Sequence, residues 1–192
     1  MNAVTLSKRL RELRGDRRGM AAVEFAMVLP FMLTLYIGGV ELGDGMAILV
    51  KVTDTTHIVA DLTTQNTCVT SGATGSLAGI LGASSQTIAP YSSSNLTVTV
   101  SEVSTNAAGA ATVTWSERLT GGAIGAGRTA GQTITLPSSL AGQANISLIL
   151  GEVSYAYTPQ LGYTITGTVN LSDSYYLFPR NSNSVTYSAT CP

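Results

Sequence analysis

The longest apolar run in the chain lies near its amino terminus. Between Met20 and Val40 the one charged side chain is Glu24, and residues 25–40 carry no formal charge. A helix rises about 1.5 Å per residue, so a run of this length reaches across a bilayer core of roughly 30 Å. The pattern therefore predicts a membrane-spanning helix, with a buried core helix as the alternative.

Helical spacing continues beyond the apolar run. Ile48, Val52 and Val59 recur at intervals close to those of one helix face, with polar residues between them. Threonine-rich sequence lowers the helix propensity past about Thr55. We nevertheless expect one transmembrane and stem helix over residues 20–66.

The pattern changes after Cys68 to short segments rich in Ser, Thr, Gly and Ala. A short second helix is predicted in "GSLAGILGASSQTIAPY", ending before Pro90, and residues 120–132 are predicted to form a flexible loop. Alternation of apolar and polar residues predicts strands in "NLTVTVSEV", "AATVTWSER", "ISLILGEVSYAY", "GYTITGTVNLSDSYYLF" and "SVTYSAT". The predicted fold class is α+β: a long amino-terminal helix, a short second helix and an antiparallel sheet of four or five strands.

Charge is distributed very unevenly along the chain. Six of the ten basic residues fall within the first eighteen positions: Lys8, Arg9, Arg11, Arg14, Arg17 and Arg18. From Met20 onward, four basic and nine acidic residues leave a net charge of −5. Nucleic-acid binding needs clustered basic side chains on the folded part, so we expect no nucleic-acid partner. The basic arm instead predicts an amino terminus held in the cytoplasm, with the rest of the chain exported.

Three kinds of targeting segment combine basic residues with an apolar run. A cleaved secretory signal requires a small-x-small site after the run, and "GDG" at 43–45 is a weak one. An uncleaved signal anchor gives no role to Glu24. A prepilin leader is cut before the run, which would place the cut after Gly19 and make Met20 the new terminus. This third interpretation divides the chain into a leader (1–19), a transmembrane and stem helix (20–66) and a periplasmic α+β domain (67–192).

The acidic residue within the apolar run has a chemical use in that interpretation. An ionised carboxylate in hydrocarbon must be protonated or find a cation. Cleavage after Gly19 creates a free α-amine four residues before Glu24, and the amine of one helix can meet the carboxylate of a staggered neighbour. Glu24 is therefore the predicted register residue for assembly. The alternative is an acid at the headgroup boundary that interacts with the helix dipole.

The residues needed for catalysis are scarce. His57 is the one histidine and falls in the predicted stem, where we expect it at the surface or an interface. One histidine and two cysteines cannot supply a zinc site of the usual spacing or a Ser/His/Asp triad. The segment "GAIGAGRT" at 122–129 imitates a phosphate-binding loop but has Arg128 where lysine belongs. We therefore expect no enzyme activity, no metal and no cofactor.

The two cysteines bracket nearly the whole predicted exported domain. Cys68 stands at its start and Cys191 near the end of the chain. Disulfides form and persist in oxidising compartments outside the cytoplasm. We therefore predict that Cys68 and Cys191 form one disulfide.

The stretch "RRGMAAVEFAMVLPFMLTLYIGGVELG" (17–43) resembles the amino terminus of TadE-like proteins, minor pseudopilins of the tight-adherence (Tad/Flp) pilus. The stretches "SLILGEVSYAYTP" and "DSYYLFPRNSNSV" are similar to that family as well. The resemblance implies a bacterial inner-membrane and periplasmic protein that is needed to build a type IVb-like fibre. Gly19, Met20 and Glu24 match the family's cleavage and register positions. The implied partners are other pilins and pseudopilins, the prepilin peptidase, the assembly machinery and the lipid bilayer.

Two functions from different classes follow from these observations. The first is a minor pilin or pseudopilin that primes or caps pilus assembly, serves in adhesion, and possesses a domain outside the membrane. The second is a stand-alone binding or adhesion module held by a signal anchor. Gly19 and Glu24 discriminate between them, because an ordinary anchor uses neither residue.

Overall fold

The computed structural model describes residues 19–159, 162 and 166–191. The six basic residues of the predicted leader lie outside these ranges. Helix α1 (Met20–Thr64) is continuous over 45 residues, so the predicted transmembrane and stem helix is a single element. Its first half is exposed, and its second half packs against the domain.

Buried threonines explain why the stem remains helical where propensity alone is weak. Thr56 and Thr63 are fully buried, and each donates its hydroxyl to the carbonyl oxygen four residues earlier, at 2.8 Å. The polar atom is thereby satisfied within the helix, and the methyl group can pack into the core. The buried face of the stem thus combines Ile48, Val52 and Val59 with threonines.

A five-stranded antiparallel sheet forms the centre of the domain, in the order β4-β3-β2-β5-β6. Its strands are β2 (Leu96–Thr105), β3 (Ala111–Thr120), β4 (Ala123–Ala126), β5 (Ser147–Tyr157) and β6 (Val169–Leu177). Helix α2 (Ser76–Thr87) packs beside α1 on the same face of the sheet and buries Leu77 and Leu81. The predicted α+β class and the two helices are confirmed.

Two details of the predicted sheet are wrong. The segment 120–132 was predicted to be a flexible loop, but Ala123–Ala126 forms the edge strand β4 against β3. The last predicted strand does not join the main sheet; β7 (Thr186–Ser188) pairs in parallel with β1 (Cys68–Thr70) in a separate two-stranded sheet. Strands of three and four residues leave too little alternation for a pattern to be recognised.

Apolar side chains cover one face of the central sheet and part of the other. Alternate residues of a strand point to opposite sides, so Ile149 and Val153 pack under α1 while Leu148 and Leu150 pack on the other face. The second face is covered over part of its area by the chain between β4 and β5, through Leu136 and its neighbours. The rest of that face stays open.

The stem approaches β5 very closely at one position. A Cβ added to Gly151 would lie 3.1 Å from the Cβ of Ala60 and 3.1 Å from the carbonyl oxygen of Thr56. The short distance between helix and sheet therefore favours glycine here, and the backbone torsion does not require it.

Gly151→Val should lower the free energy of unfolding by about 1–3 kcal/mol, because the side chain must push α1 off the sheet. Denaturant unfolding of the full chain in detergent micelles measures the loss. Gly125→Val is the matched control, since a Cβ there meets no heavy atom within 4 Å. Equal stability of the two variants would contradict this account of the helix–sheet contact.

The predicted disulfide is present in the structure. Cys68 and Cys191 are bonded, 123 residues apart, and the bond ties the start of the domain to the end of the chain. The β1–β7 pairing lies directly beside it and links the same two segments.

Replacing both cysteines, Cys68→Ser with Cys191→Ser, should destabilise the chain by up to about 5 kcal/mol, because a closed loop of this size restricts the unfolded state. Unfolding midpoints with and without reductant measure the effect. Reductant should lower the midpoint of the natural chain and leave that of the double variant unchanged. A natural chain indifferent to reductant would show that the bond does not form.

Candidate processing and assembly site

Gly19 directly precedes α1, at its N-cap position. Its backbone is already helical, with φ −81° and ψ −9°, and no side-chain cap is present at this end of the helix. A Cβ built on Gly19 meets no heavy atom within 4 Å. The fold therefore tolerates a side chain at Gly19, and a demand for glycine would come from whatever binds this segment.

Glu24 lies one turn into the helix and is exposed. No described residue forms a hydrogen bond or an ion pair with its carboxylate. Its surroundings are apolar: the neighbouring Val23 and Phe25 are more than half exposed, as are Met20 and Met27. Among the described residues, Glu24 is thus an acid without a partner on an otherwise apolar surface.

The first half of α1 is long and apolar enough to cross a membrane. Its most apolar eighteen-residue window has a mean hydropathy of 1.9, and none of that window is buried by the rest of the protein. Exposed Phe, Met, Leu and Val side chains continue around this part of the helix. The helix is therefore a candidate membrane anchor.

Contacts between α1 and the domain begin where the apolar run ends. Glu41, the first acid after the run, is only 3% exposed, and its carbonyl oxygen accepts a hydrogen bond of 3.0 Å from the hydroxyl of Tyr157. Tyr157 also approaches Gly45, one turn further along α1. These contacts fix the carboxyl end of β5 to the helix at the base of the domain.

Two buried side chains that the sequence analysis did not single out hold the carboxyl-terminal segment. The Oε1 atom of Glu102 accepts hydrogen bonds from the Ser147 hydroxyl at 2.6 Å and the Val185 amide at 2.9 Å. Trp115 donates its indole N–H to the carbonyl oxygen of Val185 at 2.8 Å. Both amide and carbonyl of Val185 are thus held from the sheet. The sequence feature that could have indicated this role is Glu102, an acid within the predicted strand "NLTVTVSEV".

Glu117 holds the segment after β1 in a similar way. Its Oε1 accepts a hydrogen bond of 3.0 Å from the Gly72 amide. Burial raises the pKa of the Glu117 carboxyl, and the hydrogen bond from Gly72 opposes that rise in part.

The residues considered for catalysis are used structurally. His57 is exposed, and its ring stacks on Tyr175 of β6 with the ring centroids 3.9 Å apart. Arg128 pairs with Glu152, donating from Nε at 2.9 Å and from Nη2 at 2.6 Å. In the part of the chain that the structure describes, no three His, Cys, Asp or Glu side chains are grouped to hold a metal ion.

The fold defines a helix-anchored α+β domain, and comparison with known families adds to that class. Residues 19–55 match the sequence model of the family described as TadE-like protein. The predicted resemblance is confirmed over this segment, which begins at Gly19 and includes Glu24. The likeness of the two carboxyl-terminal stretches lies outside it and stays a prediction. No curated protein and no solved structure matches the chain.

Gly19→Val should leave an uncut precursor, because a β-branched side chain next to the scissile bond would obstruct the peptidase. The open space at Gly19 means that the variant should fold as the natural chain does. Mass spectrometry of the amino terminus, in cells with an active prepilin peptidase, should find Met20 first in the natural protein. Normal processing of the variant, or a mature natural chain that retains Arg17 and Arg18, would contradict cleavage at this site.

Proposed function

We propose that the protein is a minor pilin or pseudopilin that primes or caps assembly of a Tad/Flp pilus and so acts in surface attachment. The observation that carries the proposal is Glu24, an acid with no partner among the described residues, on an exposed apolar helix that follows Gly19 directly. The family match over residues 19–55 supports it, because the match contains both residues.

The proposed topology follows from charge and hydropathy. The basic arm holds the amino terminus in the cytoplasm, residues 20–40 cross the inner membrane, and the domain from Cys68 onward lies outside. The disulfide supports this placement, since such bonds persist in oxidising compartments. Incorporation into the extracellular fibre is part of the proposal.

The proposed mechanism of assembly is electrostatic and uses no catalytic group of this chain. Four residues separate the new α-amine of Met20 from Glu24, or roughly 6 Å along the helix axis. A neighbouring helix displaced by a similar distance brings its amine level with this carboxylate. The two charges then neutralise each other within the hydrocarbon, where each alone would be unfavourable. The stagger that pairs them is therefore preferred over others.

The proposed partners would contact this protein at or within the membrane. Other pilins and pseudopilins would contact α1, and the peptidase would cut the leader from the cytoplasmic side. The inner-membrane assembly machinery would receive the processed protein from the bilayer. Exposed apolar side chains along the first half of α1 provide the surface for these contacts.

Glu24→Gln tests the register role most directly. The amide cannot attract a neighbour's ammonium group, and breaking a poorly solvated ion pair costs about 3–5 kcal/mol. Assembly should weaken by roughly two orders of magnitude or more. We expect a processed, membrane-held protein in cells that make few or no pili, measured by counting fibres in a deletion strain complemented with the variant.

Asp54→Asn is the matched control, because it makes the same change at an exposed acid further along α1. That variant should restore piliation. Full piliation with Glu24→Gln would show that Glu24 does not set the register, and would favour the alternative of a signal-anchored adhesion module.

A further inference from the structure

The open part of the sheet, on the face opposite α1, is lined by hydroxyl groups. The strand register places Thr97 of β2 opposite Ser154 of β5, and Ser154 opposite Ser172 of β6. Two residues away along each strand, a second row on the same face contains Arg118, Thr99, Glu152 and Ser174. Neighbouring strands lie about 4.8 Å apart, so side chains of both rows form a regular polar array.

This array forms the floor of an open cavity of about 790 Å³. The segment 127–132 makes one wall, and it is held firmly on β3. The Arg128 amide donates to the Ser116 hydroxyl at 2.9 Å, and a Cβ at Gly127 would overlap the same hydroxyl oxygen. The volume falls in the range of sites that enclose small ligands.

The charges of this cavity do not balance. Arg128 and Glu152 neutralise each other through two hydrogen bonds, with both side chains 29% exposed. The side-chain hydrogen bonds with Glu152 raise the pKa of Arg128. Arg118 is exposed and donates its Nε to the neutral Thr99 hydroxyl at 3.3 Å. Within the described ranges no carboxylate pairs with it.

Asp173 also borders the cavity, but its strand position belongs to the other side of the sheet. Asp173 is opposite Val153, and Val153 packs in the core under α1. The register therefore directs the Asp173 side chain away from Arg118. The open face has one uncompensated positive charge, with the Nη groups of Arg118 free for a ligand.

Three hydroxyl groups beside Arg118 are likewise available to a ligand. Across the described part of the chain, no side-chain hydrogen bond is made by Thr97, Ser154 or Ser172. Each hydroxyl can donate one hydrogen bond and accept two. The sheet's backbone groups are used in the ladders beneath, so a peptide strand could not add here. The surface instead suits a ligand that is itself rich in hydroxyls and has an acidic group.

We propose that this face binds an acidic saccharide, of the uronic-acid type. The carboxylate of one sugar accepts hydrogen bonds from the free Nη groups of Arg118, a geometry that a planar guanidinium matches well. Ring hydroxyls exchange hydrogen bonds with Thr97, Ser154 and Ser172. The site does not depend on pilus assembly, since it lies on the face opposite α1 and its residues are separate from Gly19, Met20 and Glu24.

Binding is tested with the full chain in detergent micelles by isothermal titration calorimetry. The probes are trigalacturonate, neutral trigalactose, and triglutamate, which has carboxylates but no ring hydroxyls. We expect trigalacturonate to bind at least about tenfold more tightly than either of the others, because only it satisfies both the charge and the hydroxyl array. Absence of binding at millimolar trigalacturonate, or equal binding of all three, would overturn the proposal.

Variants separate the two parts of the recognition. Arg118→Gln should weaken trigalacturonate binding by about tenfold or more, while Arg180→Gln, the same charge change at an exposed arginine paired with Asp61 of α1, should leave it unchanged. Ser154→Ala should weaken binding of trigalacturonate and not that of triglutamate. If Ser154→Ala has no effect, or if both arginine variants weaken binding equally, the site does not recognise an acidic sugar as described.

Discussion

Helix α1 is a single backbone that must satisfy two different surroundings. The exposed side chains of its first half are mostly apolar, while its second half forms one layer of the folded core. The contact that joins these roles is the close approach of Thr56 and Ala60 to Gly151. Since the helix is continuous, the domain is joined to the apolar half without an intervening loop.

The other end of the domain is fixed by polar groups instead of apolar packing. Glu102 and Trp115 hold the backbone of Val185, and the disulfide and the β1–β7 pairing secure the residues on either side. Val185 is fully buried although it lies only seven residues before Pro192. A buried carboxylate is tolerated because its oxygen receives hydrogen bonds from a hydroxyl and an amide. Val185 is therefore part of the core, while the described residues that follow it lie at the surface.

The long, strongly patterned elements could be predicted from the sequence. An apolar run, a stripe of spaced apolar residues and two alternating segments on either side of "STNAAG" were sufficient for α1 and for the β2–β3 hairpin. The strand β4 could not be predicted, because "AIGA" has almost no pattern and forms only where β3 offers it an edge. The parallel pairing of β7 with β1 depends on groups distant in sequence, such as Trp115, and no local pattern encodes it.

The candidate functional residues also divide into those that the sequence could indicate and those that it could not. Gly19, Met20 and Glu24 could be proposed from the sequence because the roles predicted for them depend on spacing along one helix, which a sequence displays directly. The open hydroxyl face could not, because Thr97, Ser154 and Ser172 are brought together only by the register of three strands. The Arg128–Glu152 pair is likewise a product of the fold: the glycine-rich segment 122–129 has the spacing of a phosphate loop but ends in an ion pair across the sheet.

The rigid connection between stem and domain gives the proposed register residue an effect far from the membrane. If Glu24 selects one axial stagger between neighbouring helices, that stagger is transmitted through α1 and Gly151 to the sheet. The open face lies on the side of the sheet away from the helix, so a bundle of α1 helices would leave it pointing outward. One ion pair in the hydrocarbon would then determine the height at which each polar face is presented, and no flexible linker is needed between the two functions.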